Sequence, residues 1–120
     1  MRILVVDDEE PVRRMVCLVL QSHGHTVLAA PDGRGALETL AGDKIDLLIT
    51  DVGMPHMTGR ELAATVSRSH PCLPVLLMSG SERPDGYPFL AKPFRPQSLL
   101  AAVDSAAVAS MEAAGHTSCS

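Results

Sequence analysis

Ile3-Leu4-Val5-Val6, Leu47-Leu48-Ile49 and Val75-Leu76-Leu77-Met78 are apolar at every position, not at every second one. A strand of that kind offers no face to water and must be covered on both sides. Segments of helical period separate these runs, and the alternation is that of a parallel sheet with crossover helices. The expected strands are 3–6, 26–30, 45–50, 74–78 and 89–91. A first helix should start at Pro11 and bury Val12, Val16, Val19 and Leu20, with Gly24 just past its end as a left-handed cap. Further helices are expected over 33–41, over 59–69 and from Pro96 onward, the last carrying Leu99, Leu100 and Val103 inward. The result is an α/β, three-layer, five-stranded parallel sheet.

One interval breaks the rhythm. Residues 79–88 contain two Pro and two Gly, whereas a parallel crossover usually takes about ten to twelve residues or more. A missing or very short fourth helix is therefore expected there, with the fifth strand still parallel to the fourth.

At 120 residues the chain has the size of one domain. Residues 1–112 should form it, with 113–120 as a disordered tail. The net charge is -4 and the ten Lys and Arg are scattered, so no basic stripe suits direct nucleic-acid binding. Tyr87, Phe89 and Phe94 are too few for a base-stacking platform. The acidic quartet Asp7-Asp8-Glu9-Glu10 stops the first apolar run before it could serve as a signal peptide, and no run has the length of a membrane span. A soluble, cytoplasmic protein is expected. Cys17, Cys72 and Cys119 match neither a disulfide framework nor zinc spacing, which predicts reduced thiols.

In an open parallel sheet, ligands bind outside the carboxyl ends of the strands. Asp7 and Asp8 follow the first strand, Asp51 the third, Ser79 the fourth and Lys92 the fifth. Three carboxylates in one cleft repel one another unless a cation offsets their charge. Oxygen-only ligands, without His or Cys, point to Mg²⁺. With metal and Lys92 both cationic, the pocket becomes a trap for a phosphoryl group. Asp51, central and on a strand-to-loop turn, is the best nucleophile to carry it.

Four motifs in order, Leu4-Val5-Val6-Asp7-Asp8-Glu9, Asp51-Val52-Gly53-Met54-Pro55-His56-Met57-Thr58-Gly59, Leu77-Met78-Ser79-Gly80 and Phe89-Leu90-Ala91-Lys92-Pro93-Phe94, resemble the receiver domain of bacterial two-component response regulators. The resemblance runs from Ile3 to about Val108 and implies the flavodoxin-like strand order 2-1-3-4-5. It implies that Asp51 takes a phosphoryl group from a histidine kinase or histidine phosphotransfer protein. Asp8, Asp51 and the Gly53 carbonyl would hold Mg²⁺, with Asp7 acting through a water on the metal. Lys92 would pair with phosphoryl oxygens, oriented by a cis bond to Pro93. The Ser79 hydroxyl would then turn to the phosphoryl group and let the Phe89 ring rotate inward, a population shift in a signalling switch. Such a receiver is not an enzyme on other substrates; it catalyses only its own phosphorylation and dephosphorylation.

The shortened fourth crossover alters the usual dimer and output face and leaves the oligomeric state open. Gly53 and Ser81 are both small, which predicts an open path for water and a short-lived phosphoryl group. Arg95 stands where a capping residue would start the last helix and should fray its first turn. Cys17 and Leu18 face away from the buried stripe of the first helix, where the family suggests kinase docking. The Ser79-Gly80 and Phe89-Leu90 pairs resemble receivers fused to hybrid kinases. Two rival functions remain at this point: a free-standing aspartyl-phosphate phosphatase and a flavin-binding carrier of the same fold. The first needs a second acid-base carboxylate, whereas Gly53 is two residues past Asp51; the second needs a phosphate loop where the acidic quartet stands.

Overall fold

A computed structural model describes residues 1–80 and 86–116, with side chains up to residue 108. Its elements are β1 (Arg2–Val6), α1 (Glu10–Ser22), β2 (Thr26–Ala30), α2 (Gly33–Gly42), β3 (Leu47–Asp51), α3 (Gly59–Ser69), β4 (Val75–Ser79), β5 (Phe89–Ala91) and α4 (Pro96–His116). The five strands are all parallel and lie in the order β2-β1-β3-β4-β5. β4 and β5 pair directly, Ser79 opposite Ala91, and no helix lies between them among the described residues. Residues 81–85 of that connection, Ser81 included, lie outside the described residues.

The uninterrupted apolar strands divide their side chains between two cores. Leu4, Val6, Leu48 and Leu77 pack with Ala36 and Leu40 of α2 and with Leu62, Ala63 and Val66 of α3. Their neighbours Ile3, Val5, Leu47, Ile49, Leu76 and Met78 pack with Val16 and Leu20 of α1 and with Leu99, Val103 and Ala106 of α4. Successive residues of a strand point to opposite faces, so an all-apolar strand feeds both layers at once.

Local signals set the helix ends. α1 closes as expected: Gly24 has φ 84°, His25 N–H donates to the Leu20 carbonyl and Gly24 N–H to that of Gln21, which is a Schellman turn. α3 opens with a reciprocal capping box between Thr58 and Glu61. α4 opens on Pro96, and the Arg95 carbonyl accepts from Ser98 and Leu99, so its first turn is bonded despite the missing cap side chain.

Several boundaries differ from expectation. β3 starts at Leu47 and not at residue 45, because Asp46 turns its N–H to the Arg2 carbonyl and accepts the Arg2 N–H on its own side chain. β3 and β4 each run one residue further than expected and end on Asp51 and Ser79. α4 continues to His116, past the expected domain limit at residue 112; residues 117–120 lie outside the described residues. Cys72 is disulfide-bonded, which corrects the expectation of a reduced thiol there, whereas Cys17 is free.

Candidate phosphoacceptor and metal site

The carboxyl ends of β1, β3, β4 and β5 bring the expected residues to one cleft. Backbone ties three of these ends together: Val52 N–H, after β3, donates to the Met78 carbonyl of β4 at 2.9 Å, and Lys92 N–H, after β5, to the Ser79 carbonyl of β4 at 2.8 Å. Asp7 is fully buried, Asp51 and Ser79 nearly so, and Asp8 is exposed. A cleft of about 220 Å³ is lined by Glu9, Asp51, Val52, Gly53, Ser79, Gly80 and Lys92. Gly53 has open space where a side chain would stand.

Lys92 is the electrostatic centre. Its Nζ donates to Asp7 Oδ2 at 2.9 Å, lies 3.1 Å from Asp51 Oδ1 and 3.8 Å from Glu9 Oε1, and its side chain is only 15% exposed. Burial alone would lower the lysine pKa, yet its bonds to Asp7 and Asp51 outweigh that and raise it, so the ammonium stays charged. Asp51 is raised above the ordinary carboxylate value chiefly by burial; Lys92 pulls it down, and the negative charges of Asp7 and Asp8 push it up again. Asp7 also accepts the Glu9 N–H on Oδ1 at 2.9 Å.

One oxygen from each of Asp7, Asp8, Glu9 and Asp51 lies within 4.8 Å of the others. Among the described residues these four carboxylates have one ammonium, Lys92, beside them, and the excess negative charge calls for a further cation. An all-oxygen donor set with an open side fits Mg²⁺, which keeps waters and binds through few carboxylates. The residues thus match the ion expected from sequence, with Glu9 as a further acidic member that the expected ligand set does not contain. Its side chain is exposed and it stands at the end of the loop, directly before α1, so no periodicity gives its direction.

The peptide bond between Lys92 and Pro93 is cis. The Phe89 ring is half-buried against the α2/α3-side core. Gly59 shows why α3 starts where it does: a Cβ there would collide with the Asp51 carbonyl oxygen and lie 2.9 Å from Val52 Cα. The helix N-terminus therefore presses directly on the end of β3, and Gly59 N–H donates to the Val52 carbonyl at 2.9 Å.

Similar proteins carry the same architecture. Response regulator MprA of Mycobacterium ulcerans is 39% identical over 109 residues, which cover 83% of this chain and 47% of that protein. The solved structure of chemotaxis protein CheY4 of Vibrio cholerae superposes with a TM-score of 0.83 at 34% identity, covering 88% of this chain and 97% of that one. The receiver domain of the hybrid histidine kinase CckA gives 0.78 at 36% identity, covering 89% and 99%. The chain spans about half the length of the MprA relatives it matches. No helix among the described residues is long and apolar enough to cross a membrane. Residues 3–104 match the response regulator receiver domain model, and on that match, with its acidic cluster and lysine at the strand ends, the chain belongs to the receiver domain family of two-component signalling.

Proposed function

We propose that Asp51 is the phosphoacceptor of a signalling switch fed by a histidine kinase or a histidine phosphotransfer protein. The observation that carries this is the placement of the Lys92 ammonium between Asp7 and Asp51, 2.9 and 3.1 Å away, at the mouth of the cleft. An Asp51 oxygen attacks the phosphorus of the donor, a bond from carboxylate to phosphorus forms, and the bond from phosphorus to the donor breaks with its electron pair leaving on the donor. The carboxylate charge is spent in that step, which frees Lys92 to pair with a phosphoryl oxygen.

Asp8, Asp51 and the Gly53 carbonyl would hold Mg²⁺, with Asp7 behind them. When bound, the ion supplies positive charge against the carboxylates and the phosphoryl oxygens. Ser79, buried at the end of β4 and lining the same cleft, supplies the hydroxyl that turns toward the phosphoryl group. Phe89 on the neighbouring β5 answers by rotating inward, and its ring carries no hydroxyl that must be matched. Pro93 fixes the backbone from which Lys92 projects. The acidic side chains at the end of β1 speak against a flavin phosphate at that place, as does membership of the receiver family.

Incubation with acetyl phosphate and Mg²⁺ should add one phosphoryl group by intact mass. Asp51→Asn should add none, and EDTA should abolish the addition to the parent. Phosphate found on Asp51→Asn would move the acceptor elsewhere.

A further inference from the structure

Asp7 is anchored at every polar group. Its N–H donates to the Ala30 carbonyl at 3.3 Å, Oδ1 accepts from Glu9 and Oδ2 from Lys92. Its carbonyl oxygen is held by a group outside the cleft: Nη1 of half-buried Arg13, on the first turn of α1, donates to it at 2.7 Å. The backbone from which Arg13 projects is fixed in α1, since its N–H donates to the Glu9 carbonyl at 3.0 Å. The Asp7 carbonyl belongs to the rigid peptide unit that carries the Asp8 N–H and Cα. Whatever fixes that oxygen fixes the direction in which the Asp8 carboxylate leaves the chain.

We infer that Arg13 is a positioning residue for the acidic cleft: its hydrogen bond to the Asp7 carbonyl locks the peptide between Asp7 and Asp8 and so holds the Asp8 carboxylate opposite Asp51 for a divalent cation. This rests on the assignment of Asp8 and Asp51 as the metal-holding pair. Arg13 touches neither the phosphoryl group nor the ion; it acts through backbone.

Charge and position have opposite signs here, which makes the inference testable. A guanidinium beside an acidic cleft repels a cation, so removing it for charge alone would tighten Mg²⁺ binding. Removing an orienting partner weakens binding, typically by about ten-fold or more. The single contact by Nη1 asks for one cationic donor, which a lysine also provides.

The test is Mg²⁺ titration of the full chain by calorimetry, with thermal unfolding to show that each variant folds cooperatively. Arg13→Ala should weaken Mg²⁺ about ten-fold, with Arg13→Lys recovering most of the loss. Arg13→Ala binding as tightly as the parent, or tighter, would overturn the inference; equal losses in the two variants would overturn it as well, because a cationic donor would then not be the cause. Asp8→Asn separates this failure from that of the underlying site. If Asp8→Asn leaves Mg²⁺ binding intact, Asp8 is not a ligand and the assignment of the metal-holding pair fails first.

Discussion

Replacing Lys92 by Met keeps the length of the stem and removes only the ammonium, which leaves Asp7 and Asp51 facing each other without their shared cation. Both carboxylates are well covered, with side-chain exposures of 0% and 9% against 15% for the lysine. Breaking a buried pair by deleting one partner costs about 3–5 kcal/mol, and the open side of the cleft puts this case at the lower end, ~3 kcal/mol. The variant has one escape, which is to protonate Asp51. That costs roughly 1.36 kcal/mol for each pH unit above the ordinary carboxylate value of 3.8. At pH 7.5 the escape costs ~5 kcal/mol, more than the loss itself, and the whole ~3 kcal/mol is felt. At pH 5 it costs ~1.6 kcal/mol, which caps the loss there. For a domain of this size the melting temperature should drop by about 12 °C at pH 7.5 and about 6 °C at pH 5, in EDTA. Mg²⁺ should then stabilise Lys92→Met more than the parent, because the ion replaces the missing charge. Calorimetric scans at the two pH values, with and without Mg²⁺, decide the matter. A loss under 1 kcal/mol at pH 7.5, or one that does not change with pH, would refute the view that Lys92 neutralises this cleft.

Other outcomes follow from the same geometry. Because burial raises Asp51, the folded state holds that proton more tightly than the unfolded chain; its contribution is full below pH 3.8 and is lost as pH rises through the raised folded value. Asp51→Asn should flatten that part of a urea-stability profile taken in EDTA, and an unchanged slope would assign it to another group. Lys92, raised above 10.5, contributes stability that is lost as pH rises through its folded value, so Lys92→Met should lack that alkaline loss in the same titration. Gly59→Ala forces a Cβ onto the Asp51 carbonyl and should cost about 2–3 kcal/mol in denaturant melts, while Gly42→Ala, with nothing within 4 Å, should be near neutral. Leu18→Glu, at a side chain 67% exposed, should leave stability and acetyl phosphate labelling unchanged and slow transfer from a partner kinase; loss of both reactions would remove α1 as the docking face.

The central strands were readable because a strand buried on both faces must be apolar at successive positions; their order came only from the resemblance to receiver domains. Asp7, Asp8, Asp51, Ser79 and Lys92 were readable for a related reason: each is a polar residue where such a run ends. What escaped was set by directions in space. Strand ends shifted by a residue because pairing, such as Val52 N–H on the Met78 carbonyl, continues past the last apolar side chain. Arg13 carries no signal in the sequence, because its turn back to the Asp7 carbonyl depends on the side-chain rotamer and not on sequence spacing. Ile45 read as the start of β3 on hydropathy, but Asp46 spends its groups on Arg2 and delays the strand.

Lys92 emerges from β5, which has three residues and a neighbour on one side only, whereas Asp51 ends β3, which is flanked on both. Their ion pair ties the central strand of the sheet to its border. Any occupant of the cleft competes for that one ammonium, so a chemical event at the middle of the sheet is felt as a pull on its rim, the part that another protein can reach.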